Sequence, residues 1–172
     1  MKWSEVGKSG GEMPSHQAML ALDKGFYVGT FRHGLDVKNR LTIPAKWRFP
    51  GDEGEASYLA LPNPNRSITV YPPKMVASLE EKIQRVSMLG DEQELRALTR
   101  IFGPAERFGC DRQGRISLPD ALRAHAGLVK ETVLVGTITT FHIWEAGRYA
   151  AFVAKTADDP SADPAVLRKY GL

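Results

Sequence analysis

Cysteine is nearly absent from this chain, which has only Cys110 among its 172 residues. A single cysteine excludes an internal disulfide framework and fits a reducing compartment such as the cytosol. Long hydrophobic runs are also missing, because no segment approaches the ~20 consecutive apolar residues that a membrane helix needs. The N-terminal region has neither the uninterrupted apolar stretch nor the cleavage site of a signal peptide. The sequence therefore predicts a cytoplasmic protein that does not enter a membrane.

The residue types that carry most enzyme chemistry are scarce and scattered. Histidine occurs four times, and no two histidines have the spacing of a metal-binding pair such as H-x-x-x-H. The sequence contains no phosphate-binding P-loop and no G-x-G-x-x-G fingerprint, and Cys110 has no obvious activating histidine. The sequence therefore predicts no catalytic residue, no metal site and no cofactor, and we expect a protein that is not an enzyme.

The net charge is only +3, but the basic residues are concentrated in two segments. Residues 32–48 contain five lysines and arginines against one acidic residue, and residues 107–130 contain five against two. Because the distribution of charge matters more than its total, these two segments indicate where an anionic partner would bind.

The two basic segments contain the same motif. Residues 36–48 and residues 111–123 both follow D-x-x-[NG]-R-[LI]-[ST]-[IL]-P-x-x-[WL]-R without a gap, and their first residues are 75 positions apart. A repeat of this size predicts two similar units that share one pseudo-symmetric body.

Each copy of the motif predicts a turn between two strands, followed by a helical segment. In the first copy, β-type residues over 26–35 predict a strand, and Arg40–Ile43 predicts a short second strand that ends at Pro44, which has no N–H for the ladder. The second copy predicts the same order, with a helix over 120–126 that ends at Gly127. Trp47 and Leu122 occupy the same position of the motif and are predicted to anchor these helical segments to the core.

A strand pair follows each motif, and each pair leads into a further helix. The pairs are predicted at 58–61 with 67–71 and at 132–135 with 140–144. The repeat is therefore a ββαββα unit, and the fold class is α+β, mainly β.

The repeats are predicted to be separated by a helical spacer. The spacer pattern breaks at Gly90-Asp91 into two helices, and the second helix has capping-box spacing at Asp91–Glu94 and an apolar stripe from Leu95 to Phe102. The predicted organisation is a flexible N-terminal tail at 1–24, a first repeat at 25–77, the spacer at 78–103, a second repeat at 104–155 and a C-terminal tail at 156–172.

The paired Asp and Arg of each turn allow two interpretations. Asp36 could cap its turn and pair with Arg40, which would make the turn rigid. Alternatively, the arginines and Lys38 could project from the turns to DNA, since the planar guanidinium group binds phosphate or guanine O6 and N7 bidentately. The two interpretations are compatible, because an aspartate can orient an arginine that then reads DNA.

The doubled motif, followed by Val133-Leu-Val-Gly136 and by His142-Ile-Trp144-Glu145, resembles the MraZ family of bacterial transcription regulators. This family is part of the AbrB-like, swapped-hairpin superfamily. The resemblance covers about residues 26–155. It implies a pseudo-two-fold, double-psi-like β-barrel made of two swapped-hairpin halves, and subunits that assemble as a homo-oligomeric ring.

The resemblance also implies a function. Proteins of this family bind double-stranded DNA at short direct repeats in the promoter of their own cell-division and cell-wall gene cluster, usually as repressors, and lie at the nucleoid. Carried over to this chain, the DNA-binding residues are Asp36, Lys38, Arg40, Asp111, Arg112 and Arg115. Here Asn39 replaces the glycine that is usual in the first copy, and Arg112 stands in for a lysine that the second copy lacks. The alternative is a protein-interaction module of the antitoxin-like type.

Overall fold

The structure is a computed structural model, and it describes residues 26–49, 58–85, 92–157 and 163–169. The predicted N-terminal tail, the capping residue Asp91 and part of the predicted C-terminal tail lie outside the described residues. The fold is α+β and mainly β, as predicted.

The described chain contains eight β-strands and five α-helices. In chain order they are β1 (Thr30–Gly34), β2 (Arg40–Thr42), β3 (Tyr58–Pro62), β4 (Ile68–Tyr71), α1 (Pro73–Arg85), α2 (Glu92–Phe102), β5 (Glu106–Phe108), β6 (Arg115–Ser117), α3 (Asp120–Ala126), β7 (Glu131–Gly136), β8 (Phe141–Glu145), α4 (Ala146–Ala157) and α5 (Asp163–Lys169). A short 3₁₀ helix, Ala45–Trp47, follows β2 at the place where α3 follows β6.

The local elements agree with the sequence patterns except at the first strand. Helix α3 covers the predicted residues, and Gly127 ends it in the left-handed conformation, at a φ of 69°. The strand predicted over 26–35 is shorter, because Gly29 has a φ of 95° and interrupts it. Tyr27 instead forms an isolated antiparallel bridge with Ile138, before β1 begins.

The main sheet has six strands in the order β1-β7-β8-β4-β3-β5, and all neighbouring pairs are antiparallel. The first strand of each repeat pairs with the third strand of the other repeat, since β1 pairs with β7 and β5 pairs with β3. Strands β4 and β8 meet at the centre. The two repeats are therefore built into one sheet, and neither forms a separate unit. Strands β1 and β5 are the two edges of this sheet. No strand pairing among the described residues joins them to close the sheet into a barrel.

Strands β2 and β6 form a separate two-stranded antiparallel ribbon. Leu41 lies opposite Ile116, with Arg40 opposite Ser117 on one side and Thr42 opposite Arg115 on the other. Leu41 and Ile116 are fully buried, so the inner face of the ribbon belongs to the core. The polar residues alternate with them and therefore lie on the outer face.

An aromatic cluster fills the centre of the core. The Trp47 ring contacts Tyr27, Phe31 and Phe141, with ring centroids 4.9–5.6 Å apart. The indole Nε1 of Trp47 donates a hydrogen bond to the carbonyl of Val28, at 3.1 Å, so the buried polar atom is satisfied. Trp47 and Leu122 are both 1% exposed, and the prediction that they anchor the helical segments to the core is confirmed.

The helices lie around this core. Helix α1 packs against β3, α3 packs against β3 and β8, and α4 packs against β7 and β8. Helix α2 carries the predicted apolar stripe, but Leu95, Leu98 and Ile101 on it are exposed. In the described part of the chain, no helix combines the length and the apolar character that crossing a membrane would require.

Candidate nucleic-acid interface

The first repeated turn is held together by the carboxylate of Asp36. Its Oδ1 accepts hydrogen bonds from the backbone N–H groups of Lys38 and Arg40, at 2.8 and 2.9 Å. Its Oδ2 lies 2.8 Å from Nε and 2.7 Å from Nη2 of Arg40. The backbone closes the turn, because Asn39 N donates to Asp36 O and Asp36 N donates to Arg40 O. One side chain thus fixes both the turn and the arginine that follows it.

The second turn repeats this geometry. Asp111 Oδ1 accepts from the backbone N–H groups of Gln113 and Arg115, both at 2.9 Å. Asp111 Oδ2 lies 2.8 Å from Nε and 2.7 Å from Nη2 of Arg115. The interpretation of the Asp/Arg pairs as salt-bridged turns is therefore confirmed for both copies.

Both turns need a residue with positive φ directly before the arginine. Asn39 has a φ of 58° and Gly114 has a φ of 76°. Glycine adopts this conformation freely and asparagine tolerates it better than most residues. The replacement of glycine by Asn39 therefore leaves the turn geometry intact.

The two turns meet on the outer face of the β2–β6 ribbon. Because Arg40 lies opposite Ser117, Arg40 and Arg115 are diagonal neighbours on that face, a position that separates residues by roughly 7–8 Å. Arg40 Nη1 also lies 3.9 Å from Oδ2 of Asp111 in the other turn. Residues that are 75 positions apart in sequence therefore form one cluster of two arginines and two aspartates, which we call the Asp–Arg cluster.

The Asp–Arg cluster engages the two guanidinium groups through the same atoms. Nε and Nη2 of each arginine face its own aspartate, so Nη1 is the least engaged nitrogen, although Arg40 Nη1 also has the 3.9 Å ion pair with Asp111. The side chains of Arg40 and Arg115 are 26% and 27% exposed, so both are partly accessible to solvent. Two oriented cationic edges on one face can bind the phosphates or guanine edges of a nucleic acid.

The arginines also determine how the aspartates titrate. The backbone N–H of Arg40 and then its guanidinium group lower the pKa of Asp36 from 3.8 to about 2. The guanidinium group and then the backbone N–H of Arg115 lower the pKa of Asp111 from 3.8 to about 2. Both groups therefore stay ionised at neutral pH and are poor candidates for acid–base catalysis.

These pKa shifts predict a specific acid sensitivity. The unfolded chain binds protons at these aspartates at a higher pH than the folded chain does, so their contribution to stability is lost as the pH falls from about 4 towards about 2. Urea unfolding of wild type and of Asp36→Asn/Asp111→Asn, from about pH 5 downward, measures this contribution. We expect the wild type's stability advantage to shrink across that range. An advantage that stays constant would contradict the expectation.

The remaining predicted site residues lie at the tips of the turns. Lys38 and Arg112 are exposed, and neither joins the Asp–Arg cluster through a hydrogen bond or ion pair of its side chain. They occupy different positions of the motif, because Lys38 corresponds to Gln113 and Arg112 corresponds to Val37. The two tips therefore present different side chains around the same central cluster.

Sequence reasoning missed Arg48 as a site residue. This arginine follows the 3₁₀ helix of the first repeat, is exposed, and lies against Gly114 in the second turn. A signal for it existed, because the repeated motif ends in an arginine in both copies.

His125, His142 and Cys110 take structural positions. His125 Nε2 lies 2.8 Å from the carbonyl of Asn63, and His142 Nδ1 lies 3.2 Å from Oγ1 of Thr69. Burial lowers the pKa of His142, and Cys110 is buried in the core. Within the described residues, no three His, Cys, Asp or Glu side chains come together as metal ligands would.

Comparison with known proteins agrees with the doubled motif. Residues 101–168 match the family model described as "MraZ protein, putative antitoxin-like". The chain is 35% identical over 133 residues to a protein of Limosilactobacillus reuteri (strain DSM 20016), across 77% of this chain and 90% of that protein. The chain belongs to the MraZ family. The resemblance seen in the motifs is thereby confirmed.

Other members of the MraZ family show the same extent of similarity. A protein of Pediococcus pentosaceus is 34% identical over 147 residues, which cover 85% of this chain and 99% of that protein. A protein of Natranaerobius thermophilus is 38% identical over 120 residues, which cover 69% of this chain and 80% of that protein. All three relatives carry the name "Transcriptional regulator MraZ".

Proposed function

We propose that this protein is a sequence-specific, DNA-binding transcriptional regulator that contacts DNA through the Asp–Arg cluster and the two turns around it. The observation that carries the proposal is the arrangement of Arg40 and Arg115 on one outer face, each oriented by its own aspartate. The names of its relatives support the regulatory role. In this account Asp36 and Asp111 orient the arginines, and Lys38 and Arg112 add cationic contacts at the tips.

The physical argument for the cluster is preorganisation. A free arginine loses side-chain entropy when it binds a phosphate or a base edge, whereas an arginine already held by a carboxylate loses less. The aspartates reduce the net positive charge of this face, but they hold both guanidinium groups in place through Nε and Nη2. The proposal therefore predicts fewer but better oriented contacts than a flexible basic tail would make.

We further propose that several subunits bind together. One subunit offers a small contact surface, so binding by a single copy would be weak. A homo-oligomeric ring that presents its turns to consecutive direct repeats of a promoter would raise the overall affinity through effective concentration. The promoter would be that of its own cell-division and cell-wall gene cluster. The protein would repress transcription from this promoter and would act at the nucleoid.

The exchange of strands supports a finer description of the fold. We propose that the pairing of β1 with β7 and of β5 with β3 is that of two swapped-hairpin halves forming a pseudo-two-fold, double-psi-like barrel. The predicted boundaries, with repeats at 25–77 and 104–155 and a helical spacer between them, fit this arrangement. The barrel would serve to hold the two turns side by side.

One observation favours a second candidate. The matching family model is described as antitoxin-like, which fits a protein-interaction module of the antitoxin-like type. In that case the protein would bind a protein partner tightly, and the arginines of the turns would not affect DNA binding.

Fluorescence anisotropy with a labelled duplex from the protein's own upstream region tests the proposal. Wild type should bind this duplex more tightly than a scrambled one. Its affinity should fall steeply as the salt concentration rises, because phosphate contacts release counterions. Arg40→Ala and Arg115→Ala should each weaken binding at least about tenfold, since a charge-assisted contact contributes about 1.5–3 kcal/mol. Arg96→Ala, which removes an exposed arginine of α2 paired with Glu92, should bind like wild type.

Two results would refute the proposal. One is equal affinity for the promoter duplex and the scrambled duplex. The other is wild-type binding by both turn variants, which would reduce the Asp–Arg cluster to a structural element and favour the antitoxin-like candidate.

A further inference from the structure

The side chain of Arg48 lies directly on the backbone of the second turn. A Cβ atom added to Gly114 would stand only 2.1 Å from Nε, 2.3 Å from Cζ and 2.6 Å from Cδ of Arg48. The arginine therefore fills space that exists only because residue 114 is glycine. This contact crosses between the repeats, since Arg48 belongs to the first motif and Gly114 to the second.

One hydrogen bond holds the Arg48 side chain, and a second joins its acceptor residue to the turn. Arg48 Nε donates to the carbonyl of Ile43 at 2.9 Å, and the N–H of Ile43 donates to the carbonyl of Gly114 at 2.8 Å. The guanidinium group is thus tied through Ile43 to the backbone of the turn that it covers. Its orientation is set when the protein folds, before any ligand binds.

Arg48 is exposed, and its Nη atoms form no hydrogen bond or ion pair within the described part of the chain. The charge of Arg48 is felt by a neighbouring residue, His33. The pKa of His33 is lowered first by its burial and second by the charge of Arg48. Arg112 and Arg115 belong to the turn that Arg48 contacts at Gly114, so this turn carries two arginines and touches a third.

The matching arginine of the second repeat is arranged differently. Arg123 is only 19% exposed, and its Nη2 is bonded to Asp120. Its Nε is buried without a hydrogen-bond partner among the described residues. The first turn has Asn39 where the second has Gly114, and the Cβ of Asn39 leaves no equivalent place for an arginine. The pseudo-symmetry is therefore broken at this pair.

We propose that Arg48 is a phosphate-contacting residue of the second turn, supplied by the first repeat, and that Arg123 has no such role. This proposal rests on the DNA-binding function proposed above and assigns one more residue to it. An exposed cation that contacts the turn carrying Arg112 and Arg115, and whose Nη atoms have no partner among the described residues, has the chemistry to bind a backbone phosphate.

A salt series separates a phosphate contact from a purely structural role. We would measure binding of the labelled upstream duplex by wild type, Arg48→Gln, Arg48→Lys and Arg123→Gln, with urea unfolding of each to verify folding. Each phosphate that a cation neutralises adds roughly one unit to the slope of log affinity against log salt. The slope of Arg48→Gln should therefore be shallower than that of wild type by about one unit for every Arg48 that contacts a phosphate. Arg48→Lys should keep the wild-type slope, and so should Arg123→Gln.

The outcomes distinguish this proposal from the function it rests on. The role of Arg48 would be overturned if Arg48→Gln bound more weakly with an unchanged salt slope, or if it bound like wild type. The DNA-binding function would still stand in either case, provided that Arg115→Ala loses affinity. An equal loss of slope in Arg123→Gln would overturn the asymmetry. Failure of wild type to bind the upstream duplex would refute both proposals.

Discussion

The double variant Asp36→Asn/Asp111→Asn is expected to bind promoter DNA at least about tenfold more weakly than wild type, although it removes negative charge beside the DNA. Asparagine keeps an Oδ1 that can accept the backbone hydrogen bonds of each turn. Its amide nitrogen, however, would face the Nε and Nη2 donors of the arginine and could not hold them. The turns should survive, whereas the orientation of Arg40 and Arg115 should be lost.

Anisotropy titrations of wild type and this variant against the same promoter duplex measure the effect. If the aspartates orient the arginines, the double variant should bind DNA more weakly. Simple electrostatics predicts the opposite change in affinity, because removing anions near a phosphate backbone should strengthen binding. Asp120→Asn serves as the control, since Asp120 pairs with Arg123 outside the Asp–Arg cluster. Stronger binding by the double variant would show that the aspartates do not orient the arginines for DNA.

The substitution Gly136→Ala is expected to lower the free energy of unfolding by about 3 kcal/mol. A Cβ at this position would lie 2.2 Å from the carbonyl oxygen of Tyr27 and 2.6 Å from the nitrogen of Val28. These are backbone atoms held by the Tyr27–Ile138 bridge and by the hydrogen bond from Gly136 N to Gly29 O, so they cannot move aside cheaply. The strain would separate the strands that join the two repeats.

The same strand pair provides a matched control. A Cβ at Gly34, near the other end of β1, would find its nearest neighbour, the carbonyl oxygen of Lys130, at an ordinary 3.8 Å. Gly34→Ala should therefore leave stability unchanged or raise it by up to about 1 kcal/mol, because alanine restricts the unfolded chain. Urea unfolding of both variants tests the contrast. Equal stability of the two alanine variants would mean that the contact between Gly136 and Tyr27 does not restrain the sheet.

The elements that sequence reasoning placed correctly are those that local signals specify. Helix α3 begins after Pro119, which has no N–H for a strand ladder, and ends at Gly127, which adopts positive φ. Arg40–Ile43 was predicted as a strand, in which alternation puts Leu41 and Ile43 on one face, and both are fully buried. The Asp/Arg turns were also predictable, because an aspartate four residues before an arginine can accept from the backbone and from the guanidinium group together.

The features that sequence reasoning from the residues did not reach depend on contacts between distant parts of the chain. No propensity specifies that β1 pairs with β7, because that register depends on how the two repeats pack. The meeting of Arg40 with Asp111 follows from the β2–β6 register in the same way. The place of Arg48 depends on the missing Cβ of Gly114 across the ribbon, which neither motif reveals by itself. Each turn is therefore predictable from its own sequence, whereas the site they form together depends on the tertiary packing of the two repeats.

The central claim is that the two turns act as one DNA-binding site. A double-mutant cycle with Arg40→Ala, Arg115→Ala and the combined variant, each titrated by anisotropy against the promoter duplex, tests it most directly. We predict that both single variants lose affinity and that their effects are coupled by at least about 0.5 kcal/mol, as expected for residues of one network. Wild-type affinity in all three variants, or losses that add within about 0.3 kcal/mol, would contradict a single shared site.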